Sequence, residues 1–163
     1  MKRHHSHPSS QSGFVLMYMA VGLTTLLLFT GLAVDSGRAY VVKAQLSKAV
    51  DGAALAAARN LNSGSPRDEA ARVFSANFPA GYLGTTSSTD PTTASDFFSS
   101  QVITETGVNI VTVRATATLP TTFMRLGTTD YMDITSEGEA TRRMVDLSLV
   151  LDVTERTRAE GAL

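Results

Sequence analysis

The chain contains no cysteine, which removes disulfides, thiolate metal ligands and cysteine catalysis together. A domain without disulfides must hold together by packing or through partners. Charge is scarce and balanced, with 14 Lys+Arg against 15 Asp+Glu and a net charge of -1 over 163 residues. No basic surface is available to draw nucleic acid. Histidine is confined to a polar N-terminal tail, at His4, His5 and His7, and neither a G-x-S-x-G elbow nor a phosphate-cradling glycine loop occurs. The paired acids Glu137 and Glu139 stand near Arg142 and Arg143, the pattern of a solvated strand edge. These absences point away from an enzyme and predict neither a cofactor nor a metal site.

Two further absences are local. No charge interrupts Gly13 to Val34, GFVLMYMAVGLTTLLLFTGLAV, a run reaching about 33 Å as a helix, against a bilayer hydrocarbon core of about 30 Å. It is longer than the apolar core of about 7 to 15 residues in a cleaved signal peptide. A buried soluble helix would show a polar face, and this run offers only Tyr18, Thr24, Thr25 and Thr30. The expectation is a single-pass transmembrane helix at 13–34. The basic flanks, Lys2 and Arg3 against Arg38, Lys43 and Lys48, do not decide its orientation. The polar tail 1–12 has no foldable content, so it is placed in the cytoplasm and the bulk outside. Asp35 and Arg38 then mark the outer membrane interface, as punctuation or as a hinge.

Proline is absent from Gly13 through Asn62, and the first stop is Asn62-Ser63-Gly64-Ser65-Pro66, a glycine followed by a proline. The helix is therefore expected to continue as one rod through 35–62. Ala39, Val42, Leu46, Ala49, Ala53 and Ala57 recur at spacings of three and four, an apolar stripe on one face. Small side chains allow close backbone approach, either to the chain's own domain or to another copy of the rod.

Beyond the membrane segment lies material for about one small domain, roughly 129 residues after Val34. Pro66 to Phe78 reads as a short helix, with Ser65 as N-cap, proline in the first turn and Asp68 and Glu69 near its positive end. Thr85 to Ser95, TTSSTDPTTAS, reads as a solvated loop. From Gln101 the periodicity becomes alternating: Val102 to Glu105 and Val108 to Leu119 predict two antiparallel strands joined by a turn over Thr104 to Val108. A third strand is expected at Tyr131 to Arg143, with Pro120 to Gly127 as a short helical connection. The fold class is α+β: a long helix, a short helix and a small antiparallel sheet laid on the alanine stripe in a domain spanning 63–145. Asp146 to Val153, DLSLVLDV, is either one more strand of that sheet or the first strand of a missing domain, of which the strand and tail 146–163 are the remnant.

The string TGLAVDSGRAYVVKAQLSKAVDGAALAAARNL, residues 30–61, resembles the N-terminal signature of the TadE/TadG-like proteins of the tight-adherence (Tad, or Flp) pilus-assembly system, a likeness that covers roughly residues 11 to 62. The resemblance rests on a G-L-A-V-D-x-G-R segment followed by Gln45, Leu46, Ala49, Asp51, Gly52, Ala53, Ala54, Leu55, Ala56, Ala57 and Ala58. It implies a non-enzymatic, single-pass component of the bacterial inner membrane, with the lipid bilayer and other pilus-assembly proteins as partners and self-association through the helix. Many such proteins continue into a von Willebrand factor A domain, and MVDLSLVLDVT is similar to its opening. Asp152 and Thr154 stand at two ligand positions, but Arg156 takes the third, so no metal is assigned and the A-domain is read as truncated. Pilin-like relatives imply an alternative, cleavage at Gly13-Phe14 and incorporation in a fibre, although Tyr18 stands where a glutamate is the rule.

Overall fold

The computed structural model describes residues 12–62, 64–103, 107–126 and 129–143. The tail 1–11 and the terminal segment 144–163, with the expected strand Asp146–Val153, lie outside the described residues. A single helix, α1 (Ser12–Arg59), takes up the apolar run and the alanine-rich extension without a break. It is 48 residues long, or about 72 Å. Its first half is long and apolar enough to cross a membrane and almost wholly uncovered by the rest of the protein.

The short helix α2 (Pro66–Asn77) begins as its residues dictate. Ser65 Oγ accepts the Asp68 N–H, proline occupies the first turn, and Asp68 and Glu69 stand at the positive end, where carboxylates are favoured. At its other end the Phe78 N–H donates to the Phe74 carbonyl at 2.8 Å.

The sheet is antiparallel and four-stranded, built around β3 (Val108–Pro120). The strand β4 (Tyr131–Arg143) pairs with β3 from Pro120↔Tyr131 to Val108↔Arg143. Along the opposite edge of β3 run β2 (Phe98–Ile103), paired with Val108–Val113, and the two-residue β1 (Ser87–Ser88), paired with Ala117 and Thr118. A 3-10 turn at Met124–Leu126 connects β3 to β4. Two boundaries differ from the sequence expectation. β2 starts at Phe98, because Phe97 is a fully buried anchor that draws its neighbours onto β3. The segment expected to be a solvated loop contributes β1, a buried Thr85, and Thr89, whose N–H and hydroxyl both donate to the Thr116 carbonyl. Threonine composition concealed an edge pairing, since a β-branched hydroxyl suits a ladder as well as water.

One face of the sheet is apolar and carries Val111, Val113, Ala115, Ala117 and Leu119 from β3 and Ile134 and Ala140 from β4. Against it lies the outer half of α1, and α2 packs on the flank of α1 with Phe74 meeting Phe97 edge-on at 5.4 Å. Helix and strand β4 run in the same direction with matched rise. Lys43 Nζ donates to the Thr135 carbonyl, Ser47 and Ser136 share a hydroxyl hydrogen bond of 2.8 Å, and Arg142 reaches the Ala58 and Arg59 carbonyls at 3.4 and 3.2 Å. From Lys43 to Ala58 the helix climbs about 22 Å at 1.5 Å per residue, while Thr135 to Arg142 extends about 23 Å at 3.3 Å per residue. Between these rungs a Cβ at Gly138 would stand 2.8 Å from Val50 C and Asp51 N. Only glycine lets the helix backbone sit this close to the strand.

Candidate interaction site at the base of the domain

Asp35 is the first charged residue after the apolar run, yet it is only 3% exposed. Its Oδ1 accepts the Thr122 N–H at 3.0 Å, and its Oδ2 accepts the N–H groups of Phe123 and Met124 at 2.8 and 2.9 Å. These amides open the 3-10 turn that leads from β3 to β4, and a carboxylate on them is the charge-assisted form of a helix N-cap. Burial raises the cost of the Asp35 charge; the three amide donors and the neighbouring Arg38 more than offset it, holding the carboxyl below its ordinary 3.8. The same turn meets α1 one helical turn lower, where the Phe123 side chain lies across Gly31, so closely that a Cβ there would stand 2.5 Å from Phe123 Cβ and Cγ.

Arg38, one turn above Asp35, ties in a second segment. Its guanidinium donates to Thr122 Oγ1 at 2.9 Å and to the Leu83 carbonyl at 3.2 Å, where Tyr82–Gly84 forms another 3-10 turn. Leu83 adopts the left-handed φ of 49°, an uncommon conformation for leucine. Gly31, Asp35 and Arg38 are thus consecutive steps of one helix face, and each fixes a turn at the base of the domain.

The stripe follows higher up. Val42, Leu46, Ala49, Ala53 and Ala57 are fully buried and Ala39 packs at the margin of the same core, so these residues meet the chain's own sheet and α2. Asp35 and Arg38 come together at the base, about 6 Å or more along the helix from Val42, the first fully buried residue of the stripe. Sequence reasoning missed the partners, Thr122 to Met124 and Leu83, and the polar flank Lys43, Ser47 and Asp51 that faces β4. One signal was present: Gly31 and Asp35 are four apart, so a small residue and a carboxylate share a face. Beyond the base, an open cleft of about 310 Å³ at the far end of α1 is lined by Leu55, Ala58, Arg59, Ala140, Thr141 and Arg142. Among the described residues no cluster of three His, Asp or Glu side chains could hold a metal ion.

In this arrangement a carboxylate and a guanidinium fasten two loops to a spine. No curated protein and no solved structure matches the chain. Residues 13–60, which include Gly31, Asp35 and Arg38, match the family described as "Putative Flp pilus-assembly TadE/G-like". The match covers the long helix alone, and it is this helix that is similar to the TadE/TadG-like proteins of the Tad pilus system.

Proposed function

We propose that the protein is a non-enzymatic, membrane-anchored structural component of Flp pilus assembly, with residues 13–34 crossing the cytoplasmic membrane, the N-terminus inside and the α+β domain outside. The observation that carries this reading is the change of surroundings along α1. The large apolar side chains of the span are uncovered, whereas from Val42 onward the same helix is the centre of a packed core. An all-round apolar helix is stable only in lipid or against other proteins, and its rigid continuation holds the domain at a fixed height over the membrane. The other pilus-assembly proteins and further copies of the chain are the partners such a spine would serve. The buried stripe leaves those contacts to the span and to the outer surfaces of the domain.

Carbonate extraction of membranes combined with protease added from the outer side tests the proposal. The chain should stay in the carbonate pellet, and protease should remove the domain while sparing a fragment containing 1–34. A chain released by carbonate would refute the anchor. The pilin-like alternative is favoured by one observation, the Gly13-Phe14 junction at the head of α1. Mass spectrometry of the mature N-terminus separates the two, because a fibre subunit would begin at Phe14.

A further inference from the structure

The base of the domain carries apolar side chains that the fold leaves uncovered. Leu83, Phe123 and Leu126 are 48%, 41% and 78% exposed, and Arg38 links their two turns by its bonds to the Leu83 carbonyl and to Thr122 Oγ1. Their height is set by Gly31. Phe123 rests on that glycine, about 6 Å nearer the middle of the apolar run than Asp35, at a level where Leu28 and Leu32 are themselves 55% and 45% exposed. The apolar surface of the span therefore passes without interruption onto the underside of the domain.

We propose that the turns at Tyr82–Gly84 and Phe123–Leu126 form a foot that rests in the outer interface of the lipid bilayer and fixes the domain's tilt on its anchor. The inference rests on the membrane-anchor reading and adds to it a second, loop-borne contact with lipid. The backbone of the foot is prepared for a water-poor site. The amides of Thr122, Phe123 and Met124 are taken by Asp35, the Leu126 N–H donates to the Phe123 carbonyl at 3.0 Å, and the Leu83 carbonyl accepts from Arg38. Unpaired amides are what exclude most loops from lipid. Arg125, exposed and 3.5 Å from Asp130, has a stem long enough to lie along the apolar surface with its charge among headgroup phosphates.

The absence of native cysteine allows a direct test. Full-length chains carrying Leu126→Cys, Leu83→Cys, Phe29→Cys or Glu139→Cys are labelled with an environment-sensitive fluorophore. They are then reconstituted in vesicles of phosphatidylethanolamine and phosphatidylglycerol, with or without lipids bearing a spin label at a shallow acyl position. The foot predicts that labels at Leu126 and Leu83 lose fluorescence to the spin-labelled lipid to an extent comparable with the label at Phe29, while Glu139, on the outer face of the sheet, is unaffected. Quenching at Phe29 but not at Leu126 would overturn the foot and leave the anchor standing. Absence of quenching at Phe29 would overturn both. A blue-shifted Leu126 label that spin-labelled lipid does not quench would place protein against this surface, and would also overturn the proposal.

Discussion

Upstream of Asp35, the large apolar side chains of α1 are 45–72% exposed; downstream, Val42, Leu46 and Val50 are not exposed at all, although one unbroken helix carries both sets. The difference lies in how apolarity is distributed around the axis. The first half is apolar on every side and asks for a solvent that is itself apolar. The second half gathers most of its apolar residues on one wide face, made largely of alanine, and leaves Tyr40, Val41 and Leu55 exposed. Small residues let the sheet and α2 approach, so the helix supplies the largest single share of the core through backbone proximity rather than side-chain bulk. One leucine-to-alanine exchange in each half tests this contrast most severely. Leu46→Ala removes a fully buried side chain from the core and should cost the domain about 2–5 kcal/mol. Leu27→Ala, at a position 60% exposed, should leave the domain's melting temperature in detergent unchanged. Equal losses at the two positions, followed by the thermal loss of β-sheet circular dichroism from the full chain, would abolish the distinction.

Much of this architecture was legible because local patterns and tertiary demands agree. The absence of proline and the period of the stripe pointed to the helix, Ser65-Pro66 to the start of α2, and the β-compatible residues of Tyr131 to Arg143 to β4 at its observed bounds. The base of the domain was less legible. Asp35 could be seen to follow the apolar run, but its partners lie 87 to 89 residues away in the chain, and no periodicity links a carboxylate to amides in a distant turn. Thr85 to Thr89 was obscured for another reason. An edge strand of two residues has no period to detect, and its pairing is set by β3.

Glycines sharpen the comparison further. Gly138→Ala forces a Cβ to within 2.8 Å of the α1 backbone, and because neither strand nor helix backbone yields cheaply, a loss of about 1–3 kcal/mol is expected. Gly22 lies in the exposed half with nothing within 4 Å of its Cβ position. There alanine should be tolerated or should strengthen the helix by about 0.5–1 kcal/mol. Comparable destabilisation by both changes in the same melting experiment would mean that the two halves are packed alike.

The junction between the halves is predicted to respond to pH. The folded-state carboxyl of Asp35 is held below its ordinary 3.8, so its contribution is complete above that value and is lost as the pH falls through the lower folded-state value. Asp35→Asn places an amide donor against amide donors and should cost about 1–3 kcal/mol at neutral pH. In the variant, the part of the acid-induced loss of stability that belongs to this group should disappear. If wild type and variant lose stability in parallel between pH 5 and the acid limit, the carboxylate is not what holds the turn.

The smallest effect is expected from threonine, a residue that the two halves accommodate differently. In the span, Thr24, Thr25 and Thr30 donate their hydroxyls to the carbonyls four residues back, at 2.8–2.9 Å, so the helix satisfies them internally whatever surrounds it. In the domain, Thr85 is 6% exposed and its Oγ1 has no hydrogen-bond partner among the described residues. A buried hydroxyl without a partner forfeits its hydration and gains nothing in return. Thr85→Val keeps the branched shape and removes that loss, so the domain should melt at the same temperature or slightly higher, with a gain of up to about 1 kcal/mol. Thr24→Val should be silent in that measurement, because its hydroxyl lies outside the domain. A marked loss on Thr85→Val would reveal a polar contact at this position, and the base of the domain would then depend on more than the Asp35 and Arg38 bonds.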